Sequence, residues 1–208
     1  MVGSKRIPWA RRWLPLLALA WFGLAAGQQS AAVEVAGVRF EERARIGATE
    51  ALLNGAGLRS VLGVKLYAIA IYLPQKQDSL EGALRIQGAK RIQIVNMFDV
   101  HAEMFSAGLV KGIRKNLNEI EFAELRGRVD TLRAAVRAID HTSAGSVISF
   151  DWLPAAGGGG GITRLAVNGS RRGEDIAGED FFQALLKVWL GGEVNDPRLR
   201  DALFGIRR

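Results

Sequence analysis

The chain has 208 residues, 49% of them apolar and 24% charged, which suits one ordinary folded domain and excludes a disordered chain. It has no cysteine, which excludes disulfides, thiolate metal sites and cysteine nucleophiles. Lysine and arginine outnumber aspartate and glutamate 28 to 21, a formal net charge of +7.

Much of that charge sits at the N-terminus. "MVGSKRIPWARR" carries Lys5, Arg6, Arg11 and Arg12 with no acid, and an apolar run of 14 residues, 13–26, follows it. That run is shorter than the ~20 residues that span a bilayer. Small residues then offer cleavage after Gly27 or after Ala32. Basic, apolar and small-residue regions in that order predict a secretory signal over residues 1–32 and a periplasmic or secreted protein with no membrane span after cleavage. A retained membrane anchor is the alternative. Arg11-Arg12 before Trp13-Leu14 leaves both the general and the twin-arginine export routes open. Without the four basic residues the balance is 24 to 21, or +3, so no nucleic-acid partner is expected.

The mature part begins with "VEVAGVRF", residues 33–40, which predicts two short strands around a turn at Ala36-Gly37. "TEALLNGAGL" follows, with a second turn predicted at Asn54-Gly55. Residues 64–73 are almost continuously apolar and stop at Pro74, the pattern of a central strand. Alternation places Lys65, Tyr67, Ile69 and Ile71 on one face. Leu66, Ala68, Ala70 and Tyr72 take the other, where the alanines predict a closely packed helix. A short helix is predicted over residues 78–85 and a strand over 91–98. Asp99 is the predicted cap of a helix running to about Asn116, with Met104, Leu109, Ile113 and Leu117 on one face. Another helix is predicted over 125–139, with Arg126, Arg133 and Arg137 on a solvated side. "SVISFDWLP" and "ITRLAVNGS" are strands flanking the glycines 157–161, and the apolar helix "EDFFQALLKVWLG" and the short "DPRLRDALFG" end the chain. Strands joined by tight turns, with helices grouped between and after them, predict an α+β domain over residues 33–208, an antiparallel sheet carrying helices on one face.

Few constellations carry chemistry. The five glycines lack a following Lys-Ser/Thr and lead into a strand, so they read as a hairpin turn, not a phosphate loop. Asp99, His101 and Glu103 stand two apart and do not converge on one helix face. His141 is the only other histidine, and neither a metal nor a cofactor is expected. No Gly-x-Ser-x-Gly elbow is present. What remains is residues 54–74, "NGAGLRSVLGVKLYAIAIYLP". Arg59 offers a planar fork of donors suited to a carboxylate or enolate oxygen. Tyr67 adds a hydroxyl on a large apolar body, and Lys65 shares its predicted face. Two readings stand: a site for an anion, or Arg59 paired with an acid at the sheet edge and Tyr67 filling core.

"NGAGLR" followed by "KLYAIAIYLP" resembles the hallmark of the chalcone isomerase family. "SAGSVISFDWLP", "VNGSRRGEDIAGEDFFQALLKVWLG" and the terminal "LRDALFG" extend the likeness to the bacterial, largely exported chalcone isomerase-like branch, over about residues 33–204. The resemblance implies an open-faced β-sandwich, a large antiparallel sheet under a layer of helices. In the plant enzymes of the family an arginine matching Arg59 stabilises the anionic nucleophile of an intramolecular ring closure. The place of their strand threonine is held here by Tyr67. Their helix tyrosine, lysine and asparagine should fall near residues 104–111, where "MFSAGLVK" does not supply them. Non-catalytic members of the family grip a fatty-acid carboxylate with the arginine and a strand tyrosine. The resemblance thus implies a non-catalytic binder of a fatty acid or similar amphipathic carboxylate. Arg59, Tyr67 and Lys65 would hold its head group, and Met104, Phe105 and Phe182, with Phe98, Phe181 and Trp189, would surround its tail. The alternatives are an isomerase acting on a chalcone-like enone through Arg59 and Tyr67, and an envelope structural or partner-binding module that exposes Phe181, Phe182, Trp189 and Leu190.

Overall fold

A computed structural model describes residues 32–206. The secretory signal expected over residues 1–32 lies, apart from Ala32, outside the described residues. The chain opens with a hairpin of β1 (Ala32–Val35) and β2 (Val38–Glu41). Its turn is Ala36-Gly37, with φ of 53° and 88°, the backbone that two-residue hairpins favour. Next come β3 (Arg43–Ile46), β4 (Thr49–Val61) and β5 (Val64–Leu73), then α1 (Leu80–Arg85), β6 (Lys90–Asn96) and β7 (Val100–His101). Two long helices, α2 (Ala102–Lys115) and α3 (Glu119–Arg137), precede β8 (His141–Thr142), β9 (Val147–Pro154) and β10 (Gly161–Val167). The chain ends with β11 (Ser170–Arg171), β12 (Ile176–Ala177), α4 (Glu179–Leu190) and α5 (Pro197–Leu203). The main sheet runs β11-β10-β9-β6-β5-β4-β3, with β12 also on β10, and its neighbours pair antiparallel. The fold is therefore α+β, a large antiparallel sheet with helices, as the element order predicts.

Period-two alternation divides the sheet into two buried faces. On one, Ile69, Ile71, Ile92, Ile94, Ile148 and Phe150 meet Phe181, Phe182, Leu185 and Leu186 of α4. On the other, Ala68, Ala70, Tyr72 and Val95 meet Phe40 and the valines of the β1–β2 hairpin. This corrects the expectation of a helix over the alanine face: the hairpin folds back across it, and small residues let that extra layer lie close. Phe181, Phe182, Trp189 and Leu190 are at most 5% exposed, so they form core instead of the apolar surface patch of the third reading.

Three local expectations also change. Asn54-Gly55 is not a turn, because β4 runs straight through it and absorbs one extra residue as a register shift between Leu53 and Gly55. Tertiary partners hold it there: Asn54 Nδ2 donates to the Leu203 carbonyl at 2.8 Å, and Oδ1 accepts from the Gln77 amide at 2.6 Å. Asp99 does not cap α2, whose first residue follows His101; its carboxylate instead accepts from the Ala144 amide at 2.9 Å. Helix α3 starts at Glu119, ahead of the predicted position 125, because Asn118 and Glu121 form a reciprocal capping box. No helix among the described residues is long and apolar enough to cross a membrane. Nor do three histidine, aspartate or glutamate side chains among them gather as a metal site; His101 and His141 stand opposite each other on β7 and β8, both exposed.

Candidate functional site

The glycines of "NGAGLR" place the site. Gly55 and Gly57 lie on the helix-facing side of β4, and a Cβ on Gly57 would stand 2.6 Å from Leu199 Cδ1 of α5. Without side chains there, α5 settles directly on the strand. The next residue of that face is Arg59. It pairs in register with Tyr67 of β5, and Tyr67 with Asn96 of β6. A guanidinium, a phenol and a carboxamide thus form one row across three neighbouring strands, at the ~4.8 Å strand spacing.

The row borders a cavity of about 280 Å³ between the sheet, α2, α4 and the loop before α5. Leu66, Phe98, Val100, Met104, Phe105, Leu109, Val188 and Leu199 make most of its wall apolar. Gly112 lets α2 approach α4, since a Cβ there would stand 2.6 Å from Val188 Cγ1. Gly108 faces open space. The Asn116 side chain accepts from the Glu193 amide at 3.1 Å, which pins the loop carrying Asp196 to the end of α2.

Arg59 is held by one nitrogen. Nη1 donates to Asp196 Oδ2 at 3.1 Å and to the Ser60 carbonyl at 3.4 Å, while Asp196 Oδ1 caps α5 by accepting from the Leu199 amide. The two side chains are 19% and 23% exposed, so this is a partly buried pair. Nε and Nη2 have no acceptor among the described residues. That edge is the one with which Arg91 and Arg164 grip Asp151 and Asp175 in two-point pairs elsewhere in the chain. Tyr67 accepts from Trp189 Nε1 at 3.0 Å, which leaves its own proton for another acceptor. Burial raises its pKa, against the lowering effects of the Trp189 hydrogen bond and Arg59, so at neutral pH it is a donor and not a base. Asn96, which also lines the cavity, is buried and donates to Thr142 Oγ1 at 2.6 Å.

Of the residues singled out from sequence, Arg59, Tyr67, Met104 and Phe105 line this cavity, as do Phe98 and Trp189. Lys65 does not. The register shift between Arg59 and Ser60 makes Leu66 an extra residue, so Leu66 joins Tyr67 at the cavity while Lys65, opposite Ser60, is exposed. Phe182 lies in the core beneath, its ring 6.2 Å from that of Trp152. Both sequence readings of Arg59 have a counterpart: it does meet an acid, and it also borders a cavity. Asn96, Asp196 and Gly108 escaped the sequence reading. Asp196-Pro197 is a legible helix start, but nothing in the sequence links it to Arg59, 137 positions away.

The chain has only two tyrosines, and burial raises both, Tyr72 to about 12. Their ordinary value is 10.0. Above it the native state keeps protons that the unfolded state has lost, so stability is level below that pH and falls as pH climbs through the native values. Phenolate absorbance of native protein is expected to lag that of denatured protein throughout this range. Coincident titrations would contradict the burial of these hydroxyls.

A family model described as chalcone isomerase-like matches residues 32–205. A search of curated protein sequences finds no match. Among solved structures, the crystal structure of a fatty-acid binding protein of Arabidopsis thaliana superposes with a TM-score of 0.65 at 14% identity, covering 84% of this chain and 96% of that one. The match over nearly the whole described chain places it by descent: this protein belongs to the chalcone isomerase-like family.

Proposed function

We propose that the protein is a non-catalytic binder of a fatty acid or similar amphipathic carboxylate. The carrying observation is the open Nε–Nη2 edge of Arg59, beside a protonated phenol, at an apolar cavity. A carboxylate on that edge gains a two-point, charge-assisted pair, and Tyr67 supplies a further donor. Asp196 on Nη1 fixes the guanidinium without occupying the edge. The cavity, about 280 Å³, lies just below the ~300–1,000 Å³ typical of ligand sites, which favours acids of medium chain length. Support also comes from the Arabidopsis thaliana neighbour, named a fatty-acid binding protein.

The reading includes export through the N-terminal segment. Cleavage after Gly27 would leave β1 whole, whereas cleavage after Ala32 would remove the residue that pairs with Glu41.

Mass spectrometry of organic extracts from natively purified protein tests the binding. A carboxylic acid is expected with wild type and absent from Arg59→Leu, which should still fold but melt lower, because Asp196 loses its mostly buried partner while keeping its capping bond to the Leu199 amide. An acid retained by both, or a variant that unfolds, would overturn the role given to Arg59.

A further inference from the structure

The β4–β5 hairpin ends in a feature the cavity does not use. Its turn is Leu62-Gly63, with φ of 50° and 82°. Such turns take asparagine, aspartate or glycine first, because a bulky side chain strains the left-handed backbone. The chain follows that rule at Asn168-Gly169, φ 51° and 77°, and at Ala36-Gly37 departs from it only by a methyl group. At Leu62 it does not follow it, and the leucine is 99% exposed, flanked by Val61 at 40% and Val64 at 57%. A strained backbone and an apolar side chain in water at one residue point to a use outside the fold.

The position suggests which use. The hairpin tip is bracketed by Arg59 on one strand and Leu66 on the other, both on the cavity wall, and the wall residue Met104 is itself 56% exposed. The apolar tip thus follows directly on the two strands that carry Arg59 and Leu66 to the cavity wall. No acidic residue occurs between Glu50 and Asp78, and Lys65, exposed beside Val64, has no acidic partner among the described residues. Three apolar side chains with a cation behind them fit an anionic lipid surface, the tip entering the acyl boundary and the ammonium meeting headgroups. We propose that the Val61–Val64 tip docks the protein on an anionic lipid bilayer with the cavity mouth turned toward it. This goes beyond the binding of an acid in the cavity, since docking needs only the tip.

Co-sedimentation of the natively purified protein with vesicles of phosphatidylcholine mixed with phosphatidylglycerol tests it. Leu62→Asn is expected to weaken vesicle binding at least about tenfold, and Lys65→Gln about fivefold. Asparagine suits the turn, so the melting temperature of Leu62→Asn should hold or rise and misfolding cannot mimic the result. Wild type that ignores the vesicles, or a variant that binds as well as wild type, would overturn the proposal. So would a dimer broken by Leu62→Asn without vesicle binding, because the tip would then be a contact between copies. Dodecanoate titrated into Leu62→Asn separates the two readings: the cavity should bind it as in wild type.

Discussion

Replacing Gly55 with alanine is expected to destabilise the protein by about 3 kcal/mol or more, beyond ordinary overpacking, a fall in melting temperature on the order of 10 °C for a chain of this size. The new Cβ would stand 2.3 Å from the Ala202 carbonyl oxygen and 2.5 Å from that of Leu203. These are backbone atoms of α5 and its end, so no rotamer change relieves the clash and the helix must move as a body. Moving it strains the Asn54 bond to the same Leu203 carbonyl and displaces Asp196, which positions Arg59. Gly57→Ala should be milder, since the nearest atom there is Leu199 Cδ1, the end of a side chain. Thermal melts of the two variants check the order. Equal, small effects would show that α5 does not rest on β4 as described.

Gly108→Leu is expected to do the reverse to stability and to remove binding. A Cβ at Gly108 meets nothing within 4 Å, and leucine in place of glycine inside a helix gains about 0.8 kcal/mol of propensity. The melting temperature should therefore rise by a few degrees. Gly108 lines the cavity from an exposed position of α2, however, and an isobutyl group there is expected to reach into it. Arg59 and Tyr67 keep their surroundings, yet an acyl tail has nowhere to go. A stabilised protein that no longer takes an acid separates cavity occupancy from folding, which a substitution in the core cannot do.

The antiparallel sheet and the apolar helices were legible because their signals are local: alternation, glycine turns and helical spacing. The readings that changed depended on distant partners. Asn54-Gly55 has the composition of a turn, but its side chain is satisfied by Leu203 and Gln77 within a continuing strand. Ala68 and Ala70 announce a close neighbour without saying whether it is helix or hairpin. Lys65 was placed by strict alternation, and one extra residue at Leu66 reversed its side. Arg59 and Tyr67 stood out as polar residues beside an apolar strand, and the family resemblance gave them a role. Asn96 and Asp196 gave no such cue, because register and a loop docking alone bring them to the cavity.

The most direct test is a calorimetric titration of dodecanoate into wild type, Gly108→Leu and Arg59→Leu. Wild type should bind at a single site. Gly108→Leu should show no binding, and Arg59→Leu should bind about 100-fold more weakly, the loss of a charged hydrogen-bonded pair of roughly 3 kcal/mol. Wild type that fails to bind, or three proteins that bind alike, would contradict a carboxylate held by Arg59 in the cavity.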